Sequence, residues 1–108
     1  MRAAAAGLLL VAAAMPAMAQ DVMAGRAQAT RQCAACHGVD GIATLPEAAN
    51  LAGQDPTYVT RQLAAFRDGT RSNEQMTVVA KALTDTQIAN LAAFYAAIRV
   101  EVVAVPGR

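Results

Sequence analysis

The sequence predicts a small all-α domain, with about four short helices around one long irregular segment. Apolar residues recur at helical spacing behind capping residues, as Val59, Leu63 and Phe66 do. Residues 38–54 show neither helical nor alternating periodicity, and a loop of that length in a compact domain usually has a function or surrounds something. The chain of 108 residues has the length of a single domain.

Composition argues against several classes of protein. Charged residues make up 16% of the chain and the formal net charge is +1, which disfavours a nucleic-acid-binding protein and an acidic disordered chain. Two cysteines are too few for a disulfide framework. The single histidine excludes any site that needs two imidazoles from one chain.

The N-terminal segment is organised like a signal peptide. Arg2 precedes an apolar run over residues 3–14, which is too short to span a bilayer comfortably. Ala17-Met18-Ala19 then has the small-x-small pattern of a signal peptidase site. We therefore expect a signal peptide over 1–19, a domain over 20–108, export to the periplasm and no stable membrane insertion after cleavage. The alternative is a retained membrane anchor.

Capping residues and helix breakers delimit the helices within the domain. Asp55 followed by Pro56 predicts a helix start, and Gly69 predicts its end. Thr84 and Gln87 form a capping box in front of the last helix. The predicted helices cover about 22–35, 56–68, 74–82 and 85–99, and residues 100–108 allow no prediction.

The apolar residues of the domain are few for its size. Residues 20–108 contain 23 Val, Ile, Leu, Met, Phe and Tyr residues. A domain only slightly larger than about 70–80 residues rarely stabilises itself by apolar burial alone. We therefore expect a disulfide, a metal or a cofactor to complete the core.

The strongest motif is Cys33-Ala34-Ala35-Cys36-His37, the C-x-x-C-H attachment signal of c-type haem. Thiols three residues apart project from about one turn of backbone, so they can add to the two vinyl groups on one porphyrin edge. His37 is then placed under the ring, where its imidazole can bind iron.

Three other interpretations of this motif fit the sequence less well. A C-x-x-C redox pair usually sits beside a βαβ unit, and no such strands are predicted. A zinc site needs four ligands, and the chain has no second Cys/His cluster. A disulfide between Cys33 and Cys36 would close a very small loop and stabilise little. The helical pattern and the signal peptide favour haem attachment.

Methionine is the remaining candidate for the second axial ligand. Met1, Met15 and Met18 belong to the expected signal peptide, and Met23 lies on or before the first helix. Met76 follows Cys36 by 40 residues, so the chain can return to the far side of a ring. Taken alone, Met76 would be a buried core residue; with a haem and no rival ligand, we expect it to bind iron.

An ordered series of motifs surrounds these residues. It consists of Gly25, the CAACHG run with Asp40-Gly41, Leu51-Ala52-Gly53-Gln54, Tyr58, Gln62-Leu63, Phe66-Arg67-Asp68-Gly69, Arg71, Met76, Leu83 and Ala92-Ala93-Phe94-Tyr95. Over 25–98 the chain thereby resembles the small bacterial class I cytochromes c, and most closely one domain of the dihaem type.

The resemblance implies a class I cytochrome c fold, with one haem c covalently held by Cys33 and Cys36 and iron ligated by His37 and Met76. It further implies that Gly25 allows the first and last helices to cross closely, against Phe94 or Tyr95. It places Gln54, Tyr58 and Arg71 near the haem propionates.

Two positions depart from the family pattern. Relatives often have a proline 12 residues after the ligand histidine, whose carbonyl accepts from the imidazole; here that residue is Ala49. An aromatic residue often follows the helix glycine by four positions, and here it is Ala29. We expect a less rigid loop and weaker packing at the helix crossing.

The expected function is one-electron transfer without enzymatic catalysis, because iron held by His and Met has no open position. The redox partners would be proteins, with no role for nucleic acid. The alternative is a cytochrome subunit of an extracytoplasmic dehydrogenase or other oxidoreductase. A third interpretation is a five-coordinate haem that binds gas or turns over peroxide, which requires Met76 to stay unbound.

Overall fold

The computed structural model describes residues 1–4, 7, 9–13 and 20–108. Within these ranges all regular secondary structure is helical, and no helix is long and apolar enough to cross a membrane. The predicted signal peptidase site lies outside the described residues, so the boundary after Ala19 stays a prediction. The helices are α1 (Val22–Gln32), α2 (Ala34–His37), α3 (Pro56–Asp68), α4 (Glu74–Lys81) and α5 (Asp85–Ala97).

Two of the helices, α3 and α5, start at the predicted caps. The Asp55 side chain accepts a hydrogen bond from the Tyr58 backbone N at 2.8 Å, and Pro56 opens α3. Thr84 and Gln87 make both hydrogen bonds of the capping box at the start of α5. These short-range contacts satisfy backbone N–H groups that have no partner inside the helix.

The first predicted helix is divided in two. Cys33 has φ −116° and ψ −30°, which departs from helical geometry, and α2 begins directly after it. Its backbone N still donates to the Ala29 carbonyl oxygen at 2.9 Å, so the chain bends without losing that hydrogen bond. The bend gives the Cys33–His37 segment its own direction relative to α1.

The core lies where α1 crosses α5. Ile88 and Leu91 on α5 are almost completely buried, and Ala29 on α1 packs into the same cluster. A Cβ atom added to Gly25 would overlap the Asn90 carbonyl oxygen and lie 3.0 Å from the Phe94 Cβ. The expected close crossing at Gly25 is therefore present, and it is made against Asn90 and Phe94.

The other end of α5 is attached to α3. Arg67 on α3 donates to the Leu83 carbonyl oxygen at 3.1 Å and forms an ion pair with Asp85 at 2.6 Å. The Arg67 guanidinium thus links the turn between α4 and α5 to α3. Beyond α5, residues 100–108 are exposed and have no helix or strand.

The crossing of α1 and α5 predicts the effect of Gly25→Ala. The added methyl group meets a backbone oxygen, so one helix must move, and such overpacking typically costs about 1–3 kcal/mol. We expect Gly25→Ala to lower the melting temperature of the holoprotein in a calorimetric scan. Ala27→Ser, on the exposed side of α1, is the control; equal melting of both variants would contradict the close crossing.

Candidate functional site

The two cysteines and the histidine are held on the bent segment at the end of α1. Cys33, Cys36 and His37 are each half-buried. Gly38 then reverses the chain at φ +77°, where a Cβ atom would overlap the Ile42 carbonyl oxygen. This glycine turn brings the following loop back over the motif.

The loop over residues 38–54 is organised by its own hydrogen bonds. The Thr44 backbone N donates to the Cys36 carbonyl oxygen at 3.0 Å, and the Leu51 N donates to the Gly41 carbonyl oxygen at 2.7 Å. Across the loop, the Asn50 Oδ1 accepts from the Ala43 N at 2.7 Å. The loop is therefore ordered despite its irregular sequence.

The imidazole of His37 is oriented by this loop. Its Nδ1 lies 2.7 Å from the Ala49 carbonyl oxygen. A carbonyl oxygen can only accept, so Nδ1 carries the hydrogen and Nε2 keeps its lone pair for a metal. The departure from proline at position 49 thus leaves the expected hydrogen bond in place.

Met76 enters the site from α4. Asn73 caps this helix by accepting hydrogen bonds from the Gln75 and Met76 backbone N atoms at 3.0 and 2.9 Å. Met76 is therefore the third residue of a capped helix, and its side chain is half-buried. The other candidate, Met23, is 65% exposed on α1 and does not line the cavity described next.

One cavity of about 320 Å³ collects the predicted residues. Cavities of this size suit small-molecule and cofactor ligands. The side chains of all four predicted site residues, Cys33, Cys36, His37 and Met76, line it. Apolar residues form much of its wall: Leu45, Leu51, Val59, Leu63, Phe66, Val79, Leu83 and Leu91.

Gln54, Tyr58 and Arg71 line the same cavity, although a contact with haem propionates stays a prediction. The Arg71 guanidinium lies 4.5 Å from the centre of the Phe66 ring and donates to the Gln62 Oε1 at 2.8 Å. These contacts fix a positive charge in a mostly apolar wall, where an anionic group would find a partner.

Tyr95 also lines the cavity, whereas the sequence resemblance gave it only as one of two residues that could pack against Gly25. It is 2% exposed, and it lines the cavity beside Cys33. Burial, followed by the neighbouring Cys33, raises the pKa of Tyr95 well above its usual range. Burial also raises the pKa of the free Cys33 thiol, and the Tyr95 hydroxyl partly offsets this rise.

A family model described as Cytochrome c matches residues 22–97, which is more than half of the chain. The chain belongs to the cytochrome c family.

This cytochrome is similar to cytochrome c4 of Thiocapsa roseopersicina, with 47% identity over 76 residues that cover 70% of this chain and 39% of that protein. It is 37% identical over 68 residues to the thiosulfate dehydrogenase electron acceptor of Stutzerimonas stutzeri strain A1501, covering 60% of this chain and 32% of that protein. It therefore spans about two-fifths or less of these two curated relatives.

Among solved structures, the cytochrome c4 of Acidithiobacillus ferrooxidans matches with a TM-score of 0.66 and 32% sequence identity, over 75% of this chain and 52% of that chain. The family match and this structure confirm the predicted class I cytochrome c fold and the resemblance to one domain of a dihaem cytochrome.

The cytochrome c family has covalently bound haem c as its cofactor, and the predicted cofactor is thereby confirmed. The residues present fit this group. The cavity is walled mainly by apolar side chains, two thiols lie on one wall, and a thioether and an imidazole with a free Nε2 are available to iron. The C-x-x-C-H cysteines of c-type haem proteins attach the porphyrin covalently, and imidazole and thioether sulfur are the iron ligands of cytochromes c.

The loop that orients His37 predicts a measurable effect of Asn50→Ala. The variant loses the hydrogen bond to the Ala43 backbone, at a cost of about 1 kcal/mol, and loosens the segment that carries Ala49. We expect the His37 ring N–H to exchange faster with solvent in NMR spectra of the reduced protein. Thr86→Ala, exposed on α5, is the control; unchanged exchange in Asn50→Ala would refute the role of the loop.

Proposed function

We propose that this chain is a periplasmic one-electron carrier, with haem c attached through Cys33 and Cys36 and iron ligated by His37 and Met76. The supporting observation is that one cavity collects these four side chains from two separate parts of the chain. Membership of the cytochrome c family supports the electron-transfer role.

The protein side of this function is orientation of the two ligands. The Ala49 carbonyl holds the His37 ring and makes the imidazole a stronger donor. The Asn73 cap fixes the first turn of α4, which carries Met76. With His37 and Met76 both bound to iron, no coordination position on the iron would remain for a substrate or for oxygen. When bound, haem supplies reversible one-electron chemistry at its iron.

The apolar wall of the cavity favours the less charged, reduced state of the site, and sulfur ligation acts in the same direction. We therefore expect a reduction potential that is high for a c-type haem. Residues 20–108 carry eight basic and eight acidic side chains. Electrostatic steering is therefore weak, and docking with redox partners is expected to be transient.

A second candidate is a cytochrome subunit bound to an extracytoplasmic oxidoreductase. One relative is named as the electron acceptor of thiosulfate dehydrogenase, and this name motivates a dehydrogenase as the class of partner. Native mass spectrometry of the protein purified from its source distinguishes the two roles. A free carrier gives the mass of this chain with its haem, whereas a subunit gives the mass of a complex with a larger enzyme.

If the protein is exported, cleavage of the signal peptide sets the N-terminus of the mature chain. If residues 1–19 are a signal peptide, protein from the periplasmic fraction starts at Gln20 and carries one haem. Intact-mass spectrometry before and after removal of haem measures both features. A haem-bearing species that retains residue 1 and stays with the membrane fraction would instead indicate an anchor.

The visible spectrum tests haem attachment directly. The protein is expressed with haem-maturation machinery, washed in denaturant and refolded. We expect c-type bands to survive the wash and a sulfur-to-iron charge-transfer band to appear in the refolded oxidised form. Bands without this charge-transfer band would exclude Met76 as a ligand, and the loss of all bands would exclude covalent haem.

Met76→Ala tests the second axial ligand. Haem should stay attached, while the charge-transfer band disappears and carbon monoxide binds to the reduced protein. The reduction potential should fall by on the order of 0.1 V or more, because axial ligands set haem potentials over a range of about 0.8 V. Met23→Ala removes an exposed methionine and should change neither property. An unchanged potential in Met76→Ala would refute the ligand assignment.

A further inference from the structure

The hydroxyl group of Tyr95 has no partner in the described part of the chain. Its Oη atom is buried and forms no hydrogen bond there. The residue itself is firmly placed, because its carbonyl oxygen accepts from the Gly53 backbone N at 2.9 Å and its ring lies 5.0 Å from that of Phe94. Buried hydroxyl groups normally have a partner, so the site is incomplete as it stands.

The group that can complete it is the sulfur of Cys33. Cys33 is half-buried and packs against the core cluster that contains Tyr95. Both side chains line the haem cavity, and the Cys33 thiol is the neighbouring group that acts on the pKa of the buried Tyr95 hydroxyl. Cys36 also lines the cavity, but among the described residues it is Cys33, and not Cys36, that packs against the core cluster of Tyr95.

We propose that Tyr95 is a positioning residue that donates a hydrogen bond from Oη to the Cys33 sulfur. This rests on the proposed attachment of haem through Cys33. In that attachment the Sγ–H bond adds across a vinyl group: a sulfur–carbon bond forms, and the hydrogen goes to the other vinyl carbon. The resulting thioether sulfur carries no hydrogen and can only accept, which fixes Tyr95 as the donor.

The hydrogen bond has two consequences. It holds the Cys33 side chain in one rotamer, because Tyr95 is fixed by α5 and by Gly53. It also draws electron density from one of the two thioether sulfurs. The two attachment points are therefore electronically unequal, and removal of the hydroxyl should lower the reduction potential.

NMR of the reduced, wild-type holoprotein tests the contact without any substitution. We expect a slowly exchanging Tyr95 hydroxyl proton that shows a nuclear Overhauser effect to the Cys33 β-protons and none to those of Cys36. A cross-peak to a buried water in place of Cys33, or a hydroxyl proton that exchanges rapidly, would overturn the proposal.

Tyr95→Phe provides the second test, with Tyr58→Phe as the matched control, since Tyr58 also lines the cavity and is 49% exposed. Transfer from H₂O to D₂O should shift a carbon–sulfur stretching band in the resonance Raman spectra of the wild type and Tyr58→Phe. The shift should be lost in Tyr95→Phe. If Tyr95 had a purely structural role, Tyr95→Phe would change the melting temperature but keep the isotope shift. That result would refute the hydrogen bond.

Failure of this proposal is distinguishable from failure of the proposed function. If haem were not covalent, no c-type bands would survive denaturant in any variant. If haem is covalent but Tyr95 does not reach Cys33, the bands survive while the isotope shift is the same in all three proteins.

Discussion

The helices of this chain surround a cavity where a domain of this size would normally have its central core. Leu63 and Phe66 on α3 and Leu91 on α5 all line this cavity. The closest helix crossing is that of α1 with α5, where Gly25 permits close approach. Haem therefore supplies the apolar area that the sequence lacks, which is why so small a domain can be stable.

The segment Cys33–His37 and the loop after it are joined by several hydrogen bonds. Gly38 turns the chain back, the Thr44 N–H bonds to the Cys36 carbonyl, and Ala49 reaches the His37 ring. The hydrogen bond to His37 depends on a backbone carbonyl, so the residue type at position 49 matters less than the course of the loop. This explains how alanine can occupy a position where proline is frequent: the acceptor is preserved, and the loop's own hydrogen bonds supply the rigidity.

Some residues of the site could be predicted from the sequence, and others could not. The roles of Cys33, Cys36 and His37 were predicted from their local spacing, and that of Met76 by elimination among the methionines and from the family resemblance; these four assignments stay predictions. The structure brings all four predicted residues to one cavity. Asn50 and Tyr95 gave no such signal, because Ala43, the partner of Asn50, lies seven positions away and Cys33, which lines the cavity with Tyr95, lies 62 positions away.

The sequence by itself determined the helical segments, their caps and the identity of the cofactor-binding motif, since each depends on residues within about one or two turns of backbone. The family resemblance named the crossing at Gly25, but only the tertiary structure decided that Asn90 and Phe94 are the groups it meets. Tertiary structure also decided the bend at Cys33 and the burial of the Tyr95 hydroxyl beside a cysteine. These features arise where distant segments meet, and periodicity reports which face of a helix is buried without reporting what lies against it.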